Sequence, residues 1–286
     1  MIISFGCENC GRRYKVDDSR IGETAKCKDC GAEIRVPDPE THVEPQDPEA
    51  AFSPGGSQLH VHEARTKDFE TAIGDEASIE AISNHIESHV GKVDVVFHEL
   101  VSDLVHIDVH VVAPSEERPF YTLVTSGMSD RPMTVPDELH EHRFAELVIS
   151  LPEDWTLSED EFKDEANYWP IRLIKTLARL PHEYDTWLGF GHTVPNADPP
   201  EPYASNTGFS CALVGIPLLV DEEFCTLELP NKRINFYSIV PMYDEETEFK
   251  LEHGLDQLLN KFDKYEVCEL LDLERRNVVK RRWGLF

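Results

Sequence analysis

Apolar positions recur along this chain at two different periods, and the switch between them marks out the elements. In "EASIEAISNHIESHVG", Ile79, Ile82, Ile86 and Val90 stand three or four residues apart, which is one face of a helix, and Gly91 supplies a stop. "KVDVVFHEL" and "LVHIDVHVVAP" then read as strands. In the second, Val105, Ile107, Val109 and Val111 alternate with His106, Asp108 and His110, so one face is wet or covered by polar partners. "FYTLVTSGMS" and "FAELVISLP" are two further strands. Helical spacing returns after "NYWP" in Leu173, Ile174, Leu177 and Leu180, with Pro170 expected at the start of the helix, where a missing N–H is tolerated. More strands are expected at 209–219, 224–229 and 234–240. A closing amphipathic helix over about 245–262 turns Phe249, Leu255, Leu258 and Phe262 inward and is weakened at Gly254. Strands outnumber helices, and the helices fall at the start, middle and end. The expected fold class is α+β: a mixed β-sheet domain covered by helices over residues 75–286, with a strand order that periodicity does not set.

The first 37 residues hold an echo instead. "CENCGRRYKV" at Cys7 returns twenty residues later as "CKDCGAEIRV" at Cys27. Each copy has Cys-x-x-Cys, then glycine, then an apolar residue and a valine in register: Tyr14 and Val16, Ile34 and Val36. Zinc takes four ligands in a tetrahedron, and the spacing of Cys7, Cys10, Cys27 and Cys30 falls within the zinc pattern. Gly11 and Gly31 stand where each knuckle needs positive φ. So short a segment cannot hold itself together by a core, whereas a structural zinc contributes on the order of 10 kcal/mol. Four thiolates leave no open position for a catalytic water, so the expectation is one structural Zn2+ per chain, in a zinc ribbon over 1–37. Iron in the same cage is an alternative. Thiol–disulfide exchange is disfavoured, because neither copy sits in a βαβ pattern. Residues 38–74 are expected as an acidic, proline-rich linker: the window 37–57 alone has five prolines, five acidic residues and no Lys or Arg.

Charge narrows the partners. Of the formal −28, residues 1–36 contribute seven basic and six acidic side chains, +1, and the rest contribute 20 and 49, −29. Such a body repels a duplex, so DNA is not an expected partner, and basic proteins are its complement. The same charge would also simply keep a chain in solution. No stretch approaches the ~18 to 20 apolar residues of a membrane span, and "MIISFGC" lacks the features of a secretory signal. The expected location is therefore cytoplasmic, with no membrane contact, and the seven cysteines read as metal ligands and buried thiols rather than disulfides.

Thirteen histidines invite other chemistry. His60 and His62, His106 with Asp108 and His110, and His140 and His142 are the closest groupings. A weak metal site at His106, Asp108 and His110 is geometrically possible, but a polar strand face is the preferred reading. "HELVSDLVH" lacks the zincin spacing. Ser126 is in no nucleophile elbow, no His or Asp partner is assignable to it, and Gly127 reads as a bend. Cys211, Cys225 and Cys268 read as buried thiols. His192 lines a groove or caps a turn. Trp155, Trp169 and Trp187 read first as core, with an aromatic interface anchor as the alternative. Trp169, Trp187 and His192 are thus the candidate partner-binding residues, and no catalytic residue is assigned. Arg275, Arg276, Lys280, Arg281 and Arg282 reverse the charge near the C-terminus and are expected to dock on the acidic body; an acidic partner or membrane surface is the alternative.

Two stretches resemble known families. Phe5, Cys7, Cys10, Gly11, Tyr14, Val16, Cys27, Cys30, Gly31, Ile34, Val36 and Pro37 match the short zinc ribbon found at the N-terminus of many bacterial proteins. That resemblance implies a metal-held contact or adaptor module. "YTLVTSGMSDRPM", "ELVISLPEDW", "WPIRLIKTLARLPHEYDTWLGFGHTV" and "FYSIVPMYDEE", in that order, resemble the suppressor-of-fused-like domain in its bacterial form, over roughly 78–270. The resemblance implies protein binding without catalysis. Eukaryotic relatives capture an extended peptide of a transcription factor and carry an additional C-terminal domain, which this chain is too short to contain, so a closed two-lobed clamp is not expected. Bacterial relatives are often encoded beside polymorphic toxins. The expected role is therefore an inhibitory or neutralising binder, an immunity protein against a basic toxin domain. The alternative is a transcription-linked regulator whose ribbon contacts nucleic acid or a polymerase subunit.

Overall fold

The computed structural model describes residues 2–7, 12–36, 51–63, 65, 67–158 and 160–280. The chain divides into two compact units, Met1–Ala51 and Phe52–Phe286. Among the described residues no helix is long and apolar enough to cross a membrane.

In the first unit β1 (Ile2–Gly6) pairs with β2 (Arg13–Asp17), and β3 (Thr24–Lys26) with β4 (Glu33–Arg35), both antiparallel. The sequence echo is an echo of backbone. Cys7 N–H donates to the Arg12 carbonyl at 2.8 Å, and twenty residues later Cys27 N–H donates to the Ala32 carbonyl at 2.7 Å. Gly31 turns its knuckle at φ +74°, where a side chain would be strained. Cys10 and Gly11 lie outside the described residues.

A hairpin of β5 (Ala51–Phe52) and β6 (Gln58–Leu59) falls where the second unit begins. The segment expected as linker is tied to this unit at several points, although most of its described residues are exposed. Gly55 N–H donates to the Leu251 carbonyl at 2.7 Å, and Gly55 sits so close to Gly254 that an added Cβ would lie 2.4 Å from its nitrogen. Lys67 Nζ reaches the His182 carbonyl at 2.7 Å, and Arg65 pairs with Asp103. These ties are polar or backbone-to-backbone, so no apolar period announces them.

α1 (Glu76–His89) starts at Asp75, whose carboxylate accepts the Ala77 N–H and the Ser78 hydroxyl. Eight strands follow: β7 (Val93–Phe97), β8 (Asp108–Val112), β9 (Phe120–Ser126), β10 (Ala145–Pro152), β11 (Thr193–Pro195), β12 (Cys211–Gly215), β13 (Thr226–Glu228) and β14 (Arg233–Met242). They form one mixed sheet in the order β11-β12-β14-β10-β9-β8-β7, with β13 also on β14, and only β10 and β14 run parallel. One face buries Val109, Val111, Leu123, Leu147, Ile149 and Ile239 against Trp169, Ile174 and Leu177 of α2 (Glu165–Glu183). The opposite face is shared. Ile82 and Ile86 of α1 cover Val112, Val124 and Val148, while Leu258 and Phe262 of the last helix cover Cys211, Leu213 and Met242.

Two helix expectations need correction. Pro170 does not open its helix: α2 begins at Glu165, and Pro170 and Pro181 both lie inside it. The carbonyl that Pro170 cannot engage, that of Ala166, instead accepts Asn206 Nδ2 at 3.0 Å, which removes part of the usual cost. The closing helix is two helices, α3 (Asp244–His253) and α4 (Leu255–Lys264), because Gly254 at φ +92° breaks the run instead of merely weakening it.

Gly127 takes φ +101° at the end of β9, and a Cβ there would lie 1.8 Å from the His106 carbonyl oxygen. Gly127→Ala is therefore expected to destabilise the second unit by roughly 2 to 3 kcal/mol as the chain shifts to relieve the overlap. Urea unfolding of the full chain measures this; an unchanged midpoint would refute the geometry of the bend.

Candidate functional site

In the first unit three sulfurs converge. Sγ of Cys7, Cys27 and Cys30 all lie within 4.8 Å of one another, and Cys7 and Cys30 approach to 3.6 Å. Cys7 and Cys27 are buried, and Cys30 is exposed. The backbone bonds closing each knuckle hold the thiols inward. Tyr14, from the first copy, donates its hydroxyl to Cys27 Sγ at 3.1 Å and accepts the Lys28 N–H at 2.8 Å. A hydroxyl aimed at a sulfur from behind is the kind of outer-shell contact that orients a thiolate ligand. The donor set fits a soft or borderline metal ion, and the cluster could hold one.

In the second unit the buried polar groups hold loops in place. Glu146 on β10 is fully enclosed and accepts the Thr125 hydroxyl at 2.6 Å, the Ser129 hydroxyl at 2.7 Å, and the N–H groups of Ser129 and Gly127 at 2.9 and 3.0 Å. Burial pushes its carboxyl up to about 7, against the pull of those bonds. It latches the bend after β9 to its neighbour strand. A lone glutamate among the apolar residues of "FAELVISLP" was the available signal, and the sequence reading passed over it. Ser126 does have a histidine partner, contrary to expectation: His110 Nε2 lies 3.0 Å from its oxygen, both residues are buried, and burial lowers the His110 imidazole to about 4. The pair could not be read from the sequence, because it forms across β8 and β9. Cys211 is buried, Cys225 and Cys268 are half-buried, and burial raises all three thiols, which makes them poor nucleophiles.

The candidate partner-binding residues are placed unequally. Trp169 is fully buried and stacks on Tyr203, so a partner could touch it only after α2 moved. Trp187 and His192 are half-buried and meet edge to face, with ring centroids 4.2 Å apart, and His192 also neighbours His60. Burial lowers the His192 imidazole to about 4, with His60 adding to it. Phe190 stands exposed in the same corner, beside β11. β11 is the terminal strand there, but it is three residues long and ends on Pro195, a device that blunts an edge. The other terminal strand, β7, spans five residues without proline. Val95 on it is exposed, and the loop that follows carries Val101, also exposed, and Leu100, which is 100% exposed.

The basic C-terminal residues dock on the acidic body. Arg275 pairs with Glu246, Lys280 with Glu245, and Arg276 lies over the Tyr265 ring. Arg281 and Arg282 lie outside the described residues.

These features define an α+β sheet protein with a small cysteine-clustered unit ahead of it. The chain belongs to the suppressor of fused family: the sequence profile described as Suppressor of fused protein (SUFU) matches residues 103–276, more than half of its length. No curated protein matches the sequence. Among solved structures it is similar to a suppressor of fused homolog from Neisseria gonorrhoeae, at 19% identity and a TM-score of 0.54, over 72% of this chain and 100% of that one. It is also similar to a chain of the Sufu–Fu complex, at 17% identity and a TM-score of 0.50, over 70% of this chain and 92% of that one. At these identities the likeness is one of fold.

Proposed function

We propose that this protein is a non-enzymatic binder that captures an extended segment of a protein partner along the β7 edge, with a zinc-stapled ribbon as a tethered adaptor. The observation that carries this reading is the terminal strand Val93–Phe97, with Val95 exposed on it and Leu100 and Val101 exposed in the loop that follows. An unpaired edge offers main-chain donors and acceptors, and exposed apolar residues beside it supply side-chain pockets or anchors. The suppressor of fused chain in the Sufu–Fu complex is a relative in fold that is itself seen with a protein partner. The net charge of −28 favours a basic partner, and a toxin domain neutralised by an immunity protein is the partner class we favour. Trp187, Phe190 and His192 form a second contact corner in this reading, available to side chains rather than to a strand.

In the ribbon, Cys7, Cys27 and Cys30 with Cys10 would hold one zinc ion. Zinc bound by four thiolates supplies folding energy and no catalysis.

The test is photo-crosslinking of the full chain with a reactive residue at Val95 or at Phe190, together with a basic toxin encoded beside it. A discrete adduct at Val95, and association at least about tenfold slower in high salt, are expected. Adducts at Phe190 alone would move the site to the opposite edge. Turnover of a small molecule that is abolished by changing one histidine would overturn the binder reading altogether.

A further inference from the structure

The loop between β7 and β8 folds back so that three side chains meet. Asp108, the first residue of β8, is buried. Its Oδ2 lies 2.9 Å from His98 Nδ1, and its Oδ1 lies 3.0 Å from His106 Nε2 and accepts the Glu99 N–H at 3.2 Å. The ligand atoms of His98, His106 and Asp108 all fall within 4.8 Å of one another.

A count of protons shows what this arrangement lacks. Arg179 Nη2 stands 2.8 Å from both oxygens of Glu99, so that carboxylate accepts and does not donate. Three contacts run in a row from Glu99 to Asp108: Ser102 Oγ lies 2.9 Å from Glu99 Oε2 and 2.7 Å from His106 Nδ1, and His106 Nε2 lies 3.0 Å from Asp108 Oδ1. One hydroxyl and one ring N–H supply two protons for these three contacts, so one of them sets acceptor against acceptor. With the Ser102 hydroxyl donating to Glu99, that contact is His106 Nε2 against Asp108, and a bound cation there satisfies both. The chain Arg179–Glu99–Ser102–His106 is also the outer-shell arrangement that fixes the tautomer of a metal-ligating imidazole.

Two further observations point the same way. His98 and His110 line a cleft of about 380 Å³ together with Glu76 and Glu80 of α1. His110 is 1% exposed, and its Nδ1 has no hydrogen-bond partner among the described residues.

We propose that His98, His106 and Asp108 form a divalent-metal site of the zinc class, opening on this cleft. Two imidazoles and one carboxylate suit Zn2+, Ni2+ or Cu2+ better than Mg2+ or Ca2+, which prefer all-oxygen shells. Three protein ligands leave a position for water or for a ligand atom from a partner. The ion clips the β7–β8 loop to the start of β8, and with it the segment that exposes Leu100 and Val101. The sequence favoured a polar strand face for His106, Asp108 and His110; His98, ten residues before Asp108, is the ligand that periodicity did not bring in.

The test is Co2+ titration of the full chain, followed by absorption, because cobalt thiolates give intense near-ultraviolet charge transfer and cobalt bound by nitrogen and oxygen does not. A chain carrying Cys7→Ser and Cys27→Ser is expected to bind one Co2+ with weak visible bands and no thiolate band. His98 is 65% exposed, so adding His98→Gln should leave folding intact, which far-ultraviolet dichroism checks, and should abolish that binding. Ser102→Ala is expected to weaken it by about 10- to 100-fold. The proposal is overturned if the two-serine chain binds no Co2+, or if His98→Gln binds cobalt as its parent does. Weak bands in the wild-type chain without any thiolate band would sink the ribbon reading and leave this one standing.

Discussion

Cys27→Ser is expected to unfold the N-terminal unit while the second unit keeps its melting transition, and a strong chelator is expected to do the same to the wild-type chain. The described apolar cluster of the first unit is Cys7, Cys27 and Ile34, with Tyr14 and Ala32 packed against it and Val36 buried outside it. Two of its three buried members are thus the proposed metal ligands themselves. So small a core cannot offset the entropy of ordering some 35 residues, at about 1 to 2 kcal/mol each for the backbone alone. Zinc supplies on the order of 10 kcal/mol, and a serine in place of one thiolate forfeits most of it. The Tyr14 hydroxyl, which donates to Cys27 Sγ and joins the first copy to the second, is left facing a hydroxyl oxygen on a shorter bond. Amide hydrogen exchange resolves the outcome by segment: protection at Cys27 N–H and Val36 N–H should vanish, while β8 through β10 stay protected. Persistent protection in the ribbon after chelation would show that metal does not hold it.

Arg275→Ala should cost about 3 to 5 kcal/mol, far more than the loss of a surface ion pair. Glu246 has no exposed surface, and two nitrogens of Arg275 approach its oxygens to 2.8 and 2.6 Å. The same carboxylate accepts the N–H groups of Tyr243 and Val278 at 3.1 and 2.9 Å. The guanidinium also donates to the Pro241 carbonyl and lies over the rings of Phe209, Tyr243 and Phe262. Removing it strands a buried charge and opens a gap among three aromatic rings. Arg275→Lys should recover only part of the loss, because an ammonium cannot reproduce the two-pronged contact or the stacking. A double change, Arg275→Met with Glu246→Gln, should be milder than Arg275→Ala alone, since the stranded charge goes with its partner. Urea unfolding of the three variants measures the set. A loss below about 1 kcal/mol for Arg275→Ala would mean that the pair behaves as an exposed one.

Legibility followed the range of each interaction. Ile82 and Ile86 declared α1, and the alternation from Val105 to Val111 declared which face of β8 is apolar, because both periods are properties of a few consecutive residues. The docking of Arg275 and Lys280 on acidic residues followed from charge alone, although the identity of Glu246 as the deeply buried partner did not. β11 escaped notice because three residues are too few to show a period. Pro170 was misplaced because the group that relieves it, Asn206, lies forty residues ahead of the carbonyl it serves. The partnership of Ser126 with His110, and the meeting of His98 with Asp108, depend on the register of β7, β8 and β9 and on the fold of one loop.

The sequence by itself determined most helices and strands, the class of the fold, the repeated cysteine knuckle and the sign of the chain's own net charge. Each is written in neighbouring residues or in a sum over all of them. Tertiary structure alone decided that β10 and β14 run parallel within the sheet, that β7 is a terminal strand among the described residues, and that an acid and two imidazoles share one corner. Those outcomes depend on which distant segments pack together, and the free energy that selects the packing is spread over the whole core rather than carried by any local pattern.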